Sequence, residues 1–331
     1  MGLSTFDTQR EEEDTSMFKK LITAAACSFS MVAGAADMGA VDEPIKLAIN
    51  EWTGQHISTH IAGETLKKAG YTVEYVTAGY EPQFTALSDG EIHATMEIWS
   101  SNIGDIVVKA MDSGKVVDLG ENGIEAREGL LYPVHVKEMC PGLPAWDALE
   151  ACAAKFATAE TLPQGRLIDY PADWGTPGAD RLTGLGIPFK AVPAGSEGAL
   201  ISELKASVAR KTPLLMVFWQ PHWALSEFET EWLELPAAED ECFSDPAWGV
   251  NPNGTSDCDF PASRVFKAAW AGMGDKWPAA AEVLKAVSIS TGDQQTLMAA
   301  IDQEGGNIET VIAEWMDANE SVWSEWVSAG Q

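Results

Sequence analysis

Residues 45–52, IKLAINEW, carry the pattern on which the fold prediction depends. The run over 45–50 predicts a buried strand, because it is short, mostly apolar and bounded by polar residues. Apolar residues at helical spacing over 57–69 predict a helix that follows it. Trp52 stands between the two. The stretch therefore predicts a strand followed by a helix, with an aromatic side chain at the carboxyl end of the strand.

The same alternation continues along the chain. Further strands are predicted over 71–76, 93–99, 166–170 and 213–219, and further helices over 83–87, 197–210 and from Ala145 and Pro177 onward. Between the two halves an extended crossing is predicted at 129–136. The tail from Ala262 onward is predicted to be mostly helical, with helices over 279–286, 294–302 and 308–317. Alternating strands and helices are typical of α/β domains with a parallel sheet, and 331 residues exceed one typical domain, so we predict two α/β lobes.

The charge limits the partners. The chain has 50 acidic and 21 basic residues, a formal net charge of −29. Such an excess of negative charge repels phosphate backbones and anionic headgroups, which argues against nucleic acid as a partner. A solvated acidic surface explains the charge without any ligand.

The N-terminus has the pattern of a secretory signal peptide. Lys19 and Lys20 form a basic start, 21–32 is an apolar stretch of small residues, and Ala33-Gly34-Ala35 is a small-x-small cleavage site. Residues 1–35 are therefore assigned to an N-terminal extension and signal peptide, and the mature protein to the periplasm. Translation from Met17 instead of Met1 and a lipid anchor on Cys27 are the alternatives.

Four cysteines remain after that segment, Cys140, Cys152, Cys242 and Cys258. An even number in an oxidising compartment predicts disulfides. Of the three possible pairings we prefer the one that is local in sequence, Cys140 with Cys152 and Cys242 with Cys258. A zinc site is the alternative, although no pair has the usual short spacing of structural zinc ligands.

Tryptophan is the most informative residue type. Four of the 13 tryptophans stand where a predicted strand ends, namely Trp52, Trp99, Trp174 and Trp219. Ligands of open α/β sheets bind at the carboxyl ends of the strands. Packing in a core is the alternative for each residue alone, but four in equivalent places predict a shared pocket.

The segments around these tryptophans resemble a known family. NEWTG at 50–54, EIW at 97–99, DWGTP at 173–177 and FWQPHW at 218–223 are similar in order and spacing to the motifs of binding components of ABC importers for glycine betaine and related osmolytes. The resemblance covers residues 43–328. It implies a type II periplasmic-binding-protein fold with the ligand cleft between two lobes, one of 43–133 plus 243–331 and the other of 134–242.

The resemblance also implies an aromatic box. Trp99, Trp174 and Trp219 would surround a trimethylammonium group, with Trp52 as a fourth wall. Electron-rich aromatic faces suit such a head, which has no N–H to donate, and tryptophan offers the strongest such face. Glycine betaine or a close methylated-ammonium relative is the expected ligand. Trimethylamine N-oxide, choline and the sulfonium dimethylsulfoniopropionate are alternatives.

The carboxylate of a betaine would need its own binding site in the pocket. Gly175 and Thr176, ahead of a helix that begins with proline, offer free backbone N–H groups, and Gly54 offers the same after Trp52. His222 is a candidate side-chain donor, with a capping or surface histidine as the alternative. Some relatives carry a histidine after the third-strand tryptophan, and this chain has none there. Relatives that bind trimethylamine N-oxide place an acid near the position of Glu128, for which an ordinary surface acid is the alternative.

Other functions are weighed against this one. The loop residues Asn251, Asn253, Asp257 and Asp259 offer oxygen ligands, so a structural calcium ion is considered beside a plain polar loop; no other cofactor is expected. The sequence has no Gly-x-Ser-x-Gly elbow and no phosphate-binding Gly-rich loop, so an enzyme is not expected. A periplasmic hydrolase or a chemosensory binding protein is the alternative class. The expected partners are the solute and an inner-membrane ABC permease with its ATPase, and a monomer is expected.

Overall fold

Two five-stranded sheets organise residues 36–331, the part of the chain that the computed structural model describes. The predicted signal peptide and cleavage site, residues 1–35, lie outside it. The strands are β1 (Ile45–Ile49), β2 (Val73–Thr77), β3 (Ala94–Trp99), β4 (Val116–Glu121), β5 (Arg127–Pro133), β6 (Gly165–Asp169), β7 (Phe189–Pro193), β8 (Met216–Gln220), β9 (Thr230–Trp232) and β10 (Val265–Trp270).

Helices cover both sheets. They are α1 (Thr53–Lys68), α2 (Gln83–Asp89), α3 (Asp105–Asp112), α4 (Ala148–Phe156), α5 (Pro177–Leu185), α6 (Glu197–Arg210), α7 (Ala224–Glu227), α8 (Asp240–Ser244), α9 (Met273–Lys276), α10 (Pro278–Ala286), α11 (Thr291–Asp302), α12 (Ile308–Ala318) and α13 (Glu320–Ser328). Short 3₁₀ turns occupy Ser100–Asn102, Val134–Glu138 and Ala172–Trp174. Among the described residues no helix combines the length and the apolar character that crossing a membrane requires.

The two sheets share one topology. The first has the strand order β2-β1-β3-β10-β4 and the second β7-β6-β8-β5-β9. In the first, β1 is parallel to β2 and β3, and β10 is antiparallel to both its neighbours. In the second, β6 is parallel to β7 and β8, and β5 is antiparallel to both its neighbours. The predicted two-lobed α/β fold of type II is confirmed.

Two details of the prediction are corrected. The sheets are mixed and not wholly parallel, because β5 and β10 are the strands through which the chain enters the second lobe and returns to the first. Strand β10 was also hidden in a tail predicted to be helical. Its run VFKAAW contains Lys267, which is fully buried and donates to the carbonyls of Lys285 and Val287. A charged residue inside a short apolar run obscures the pattern of a buried strand.

The crossings between the lobes also differ from the predicted boundaries. Strand β5 pairs with β8 and β9, so the chain leaves the first lobe between β4 and β5 and not at residue 133. On the return, Asn251 donates to the carbonyl of Gly184, and the amide of Asp259 donates to the carbonyl of Pro236. The loop over 243–259 therefore belongs with the second lobe, and the return crossing lies just before β10.

The lobes contact each other at the first turn of α1. The Thr53 amide donates to Oε2 of Glu197 in the second lobe at 2.9 Å, and Thr53 Oγ1 donates to Asp302 Oδ1 at 2.8 Å. Asp302 Oδ2 in turn accepts from Trp223 Nε1 of the second lobe at 2.9 Å. Because Thr53 follows Trp52 directly, these bonds hold the chain at the point where it forms the wall of the cleft.

Both predicted disulfides are present. Cys140 is bonded to Cys152, and Cys242 to Cys258, with sequence separations of 12 and 16. All four residues are buried. The first disulfide joins the Val134–Glu138 turn to α4, and the second closes the loop that follows α8.

We expect the second disulfide to stabilise the fold through the loop that it closes. Replacing Cys242 and Cys258 together by serine should lower the free energy of unfolding by about 3 kcal/mol, because a loop of this length gains conformational entropy in the unfolded chain. Urea denaturation of the chain without residues 1–35 measures this change. Two or more reactive thiols in the unreduced wild-type protein, or an unchanged unfolding midpoint in the variant, would contradict the prediction.

Candidate functional site

Four tryptophans stand at the carboxyl ends of the central parallel strands of both sheets. Trp52 follows β1, Trp99 ends β3, Trp174 lies in the turn after β6, and Trp219 is the penultimate residue of β8. Parallel strands present their carboxyl ends at one edge of a sheet, and here the two edges face one cleft. They form a small cavity that is lined by Trp52, Tyr80, Trp99, Asn102, Glu128, Tyr170, Trp174 and Trp219.

The aromatic rings meet at steep angles. The Trp174 ring centroid lies 5.1 Å from that of Trp52 across the cleft, with an interplanar angle of 65°. On its other side it lies 5.9 Å from Trp219, at 77°. Tyr170 packs against both Trp174 and Trp219, and Tyr80 against Trp52. Edge-to-face contacts of this kind are favourable in themselves, and they turn ring faces toward the enclosed space from several directions.

Glu97 lies behind two of these walls and holds them. Its Oε1 accepts hydrogen bonds from Trp52 Nε1 at 2.7 Å and from Trp99 Nε1 at 3.1 Å. Its Oε2 accepts from Ser58 Oγ and Gln294 Nε2, each at 2.8 Å. Burial raises the pKa of the Glu97 carboxyl, and the four hydrogen bonds oppose that rise. The indole rings of both tryptophans are thereby fixed in orientation.

Glu128 is the acid of the cavity wall. It lies on β5 directly opposite Trp219 in the sheet register and is only 3% exposed, so it is not a surface acid. Its Oε1 accepts from Asn102 Nδ2 at 2.7 Å, and its Oε2 contacts Ser101 Oγ. The Tyr170 hydroxyl lies near enough to the carboxyl group to stabilise its charged form. Burial raises the pKa of the Glu128 carboxyl, against the effect of these hydrogen bonds.

The helix start next to the anion site predicted at Gly175 and Thr176 binds one of the protein's own carboxylates. Helix α5 begins at Pro177, and its first amides, those of Gly178 and Ala179, donate to the carboxylate of Asp169 at 3.2 and 2.8 Å. Asp169 ends β6 and is buried. A helix N-terminus favours an anion, and here the chain supplies its own. Gly175 and Thr176 do not line the cavity.

The other two predicted anchors are also used inside the protein. Gly54 lies against Gln294 and Glu97, and the start of its helix binds Glu197 through the Thr53 amide. His222 is fully buried behind Trp219, its Nδ1 accepts from the Ala224 amide, and its Nε2 lies 3.2 Å from Glu197 Oε1. Neither Gly54 nor His222 lines the cavity. Contact of these residues with a ligand therefore stays a prediction, with their internal hydrogen bonds as the observed alternative.

Three wall residues and one supporting residue were not predicted. Tyr80 and Tyr170 carry the aromatic surface beyond the tryptophans, Asn102 binds Glu128, and Glu97 supports the box. The sequence did hold a signal for Glu97: it lies two residues before Trp99 on β3, and residues two apart on a strand share a face. Tyr80 had no such signal, because it stands in a loop.

The loop proposed for calcium uses its oxygens internally. Asp257 is fully buried, and its Oδ2 accepts from the Asn251 amide at 2.7 Å. Asn251 Oδ1 accepts from the Asn253 amide, and Asp259 Oδ1 accepts from the Phe260 amide. Within residues 36–331 no three His, Cys, Asp or Glu side chains are grouped to hold a metal. A calcium ion here stays a prediction, for which a calcium titration is the test.

Comparisons with known proteins agree with this geometry. The family model of the substrate binding domain of ABC-type glycine betaine transport systems matches residues 43–318. A trimethylamine N-oxide-binding protein of Pelagibacter ubique (strain HTCC1062) is 29% identical over 304 residues, 90% of this chain and 94% of the relative.

Solved structures share the fold. A glycine betaine/L-proline-binding protein from Borrelia burgdorferi has a TM-score of 0.70 at 19% identity, covering 87% of this chain and all of that one. A choline-binding ABC transporter protein in complex with choline has a TM-score of 0.69 at 17% identity, covering 87% and 96%. Because the family model matches most of its length, the chain belongs to the family of substrate-binding domains of ABC-type glycine betaine transport systems.

Proposed function

We propose that this protein captures a small methylated onium solute without a carboxylate tail, with trimethylamine N-oxide as the ligand that fits best. The observation that carries the proposal is the buried carboxyl group of Glu128 in a cavity wall that is aromatic except for Glu128 and Asn102. The trimethylamine N-oxide-binding relative from Pelagibacter ubique supports it.

The onium head fits the aromatic walls. A fully methylated nitrogen cannot donate a hydrogen bond, so a site for it needs polarisable, electron-rich surface that tolerates methyl groups. Each cation–π contact contributes roughly 0.5 to 2 kcal/mol, and four tryptophan walls supply about 2 to 8 kcal/mol before ordering costs. Micromolar affinity requires about 8 kcal/mol. The head therefore supplies most of the affinity, and one good polar contact is needed for the remainder.

Two groups of the cavity suit an oxide oxygen. The raised pKa of Glu128 favours the neutral carboxyl, which can donate its proton to an acceptor. Ser101 and Tyr170 beside it are hydroxyls, which tolerate either protonation state of the acid. The buried indole N–H of Trp174 has no acceptor among residues 36–331. A buried donor without a partner is costly, and a ligand oxygen would satisfy it.

A ligand carboxylate fits less well. His222 and the helix starts next to the other predicted anchors are engaged by the protein's own carboxylates, Asp169 and Glu197. The cavity wall contains no Lys, Arg or His, whereas it does contain Glu128. An ionised Glu128 would repel a ligand carboxylate, and a neutral Glu128 would offer it one hydrogen bond but no counter-charge. Glycine betaine and dimethylsulfoniopropionate, which both carry a carboxylate, are therefore placed behind trimethylamine N-oxide.

Choline is the second candidate. Its hydroxyl can donate to an ionised Glu128, and the same carboxylate would attract its positive charge. Trimethylamine N-oxide and choline thus favour opposite protonation states of the Glu128 carboxyl. The first needs the neutral acid as a donor, and the second prefers the carboxylate as an acceptor.

The transport role follows from the family. We propose a monomeric periplasmic protein that closes its two lobes on the solute and delivers it to an inner-membrane permease with its ATPase. We further propose that it binds without converting its ligand. Incubation of the pure protein with trimethylamine N-oxide or choline should return each solute intact, and appearance of a product would argue for the hydrolase alternative.

The ligand is identified by calorimetric titration against trimethylamine N-oxide, choline, glycine betaine and glycine. Trimethylamine N-oxide should bind most tightly, and glycine, whose amine loses water in an aromatic box without gaining an acceptor, should scarcely bind. Glycine betaine binding more tightly than trimethylamine N-oxide would overturn the choice of ligand while leaving the aromatic box in place.

The box itself is tested by substitution. Trp174→Ala or Trp219→Ala should weaken binding of the tightest ligand by about tenfold or more, because each removes a cation–π wall. Trp315→Ala is the matched control. Trp315 is also a buried tryptophan, but it packs against Trp326 and does not line the cavity. Affinity that survives the loss of Trp174 in a folded protein would show that the assignment of the site is wrong.

The proton of Glu128 gives a pH test. Since burial raises its folded pKa, the neutral acid is present below that pKa and is lost as the pH rises through it. Affinity for trimethylamine N-oxide should therefore fall as the pH rises, and affinity for choline should fall as the pH drops, measured where the N-oxide itself stays unprotonated. Glu128→Gln, which keeps a donor but cannot titrate, should bind trimethylamine N-oxide independently of pH. The same pH dependence in wild type and variant would exclude Glu128 as the titrating group.

A further inference from the structure

Glu97 is a buried acid that does not line the cavity, yet it contacts two of its walls. Each of its oxygens accepts two hydrogen bonds, from Trp52 and Trp99 on Oε1 and from Ser58 and Gln294 on Oε2. Indole N–H groups can only donate. Its side chain lies on the same face of β3 as Trp99 and is 1% exposed.

This set of partners favours the carboxylate. Three of the four partners are N–H groups, which can only donate, so the ionised form satisfies all of them; among the four, only the Ser58 hydroxyl could accept a carboxyl proton. Glu128 has one N–H partner, Asn102, and hydroxyl neighbours that can accept as well as donate. The hydrogen bonds therefore favour the ionised form more strongly at Glu97 than at Glu128, although burial raises the pKa of both carboxyls.

The charge of Glu97 has no counter-charge within the described chain. None of the ion pairs among residues 36–331 includes Glu97, and the eight residues of the cavity wall include no cation. A buried charge that is hydrogen-bonded but unpaired produces a strong field in its low-dielectric surroundings. That field passes through the two indole rings into the cavity. Donation of both N–H groups to a carboxylate also increases the electron density of the rings, because hydrogen-bonded groups polarise one another.

We propose that Glu97 is a positioning residue that gives the box its selectivity for a charged head: it fixes the rings of Trp52 and Trp99, and the onium cation is its counter-ion across them. The inference rests on the proposed function, since it needs an onium ligand in the box. Under this proposal, an acid that does not contact the ligand makes the site prefer a charged ligand over a neutral ligand of the same shape.

The test compares choline with 3,3-dimethylbutan-1-ol, in which carbon replaces the charged nitrogen and the shape is kept. The measured quantity is the ratio of the two dissociation constants, taken at a pH where Glu128 is neutral. Glu97→Gln should lower the preference for choline by about tenfold, the size of one strong cation–π contact, while affinity for the neutral alcohol changes little. An equal loss for both ligands, or an unchanged ratio, would overturn the proposal and leave Glu97 a purely structural group.

Glu128→Gln is the matched control, because it removes the other buried acid of the site. Both ligands carry a hydroxyl, so this variant should weaken both and leave their ratio nearly unchanged. If Glu97→Gln does not fold, as judged by urea denaturation, the pH dependence of the wild-type ratio decides: a preference for choline that disappears at a pH where Glu128 is neutral would assign the charge preference to Glu128 and overturn the role of Glu97. A wild-type protein that binds neither ligand would instead contradict the proposed function.

Discussion

The site depends on one topological constraint: the central parallel strands of both sheets end at the same cleft. Strands β1 and β3 bring Trp52 and Trp99 to it from one lobe, and β6 and β8 bring Trp174 and Trp219 from the other. The chain meets this constraint by entering and leaving the second lobe through the antiparallel strands β5 and β10. Strand β5 also contributes Glu128 to the wall, so the strand that enters the second lobe carries the acidic group of the site.

Carboxylates organise the surroundings of the aromatic walls. Asp169 binds the first amides of α5, Glu197 binds the first amide of α1 from the opposite lobe, and Glu97 holds two indoles. Each accepts hydrogen bonds that would otherwise be available to a ligand anion. A cleft whose donors, apart from the Trp174 indole N–H, are largely taken up by internal acids is suited to a cation or a dipole with a positive head, and less suited to a ligand recognised mainly through its own carboxylate.

The tryptophan walls were predictable because each is fixed by local sequence: an apolar strand, a tryptophan at its end and a helix after it. The local disulfides followed from the even number of cysteines in the same way. Glu128 was singled out by the resemblance to the osmolyte-binding family. A helix N-terminus shows only that an anion is favoured, and the first amides of α5 bind Asp169, so a ligand carboxylate at Gly175 and Thr176 stays a prediction. Which anion reaches a helix N-terminus, Asp169 or a ligand, depends on side chains that converge only after folding.

Other parts of the site had weaker signals. Tyr80 stands in a loop, where no periodicity indicates which way a side chain faces. Strand β10 was hidden by Lys267, whose burial is possible only because carbonyls at the end of α10 and just beyond it accept its ammonium protons. The lobe boundary was misplaced because β5 has an ordinary strand sequence, and its membership of the second sheet is decided by pairing with β8.

The central claim is that the aromatic walls hold an onium head while Glu128 meets the other end of the ligand. The most direct test is a crystal structure of the protein grown with trimethylamine N-oxide. The account predicts methyl groups against the faces of Trp52, Trp99, Trp174 and Trp219, and the oxide oxygen within hydrogen-bond distance of Glu128. An oxide that points away from Glu128, or a ligand bound outside these walls, would contradict it.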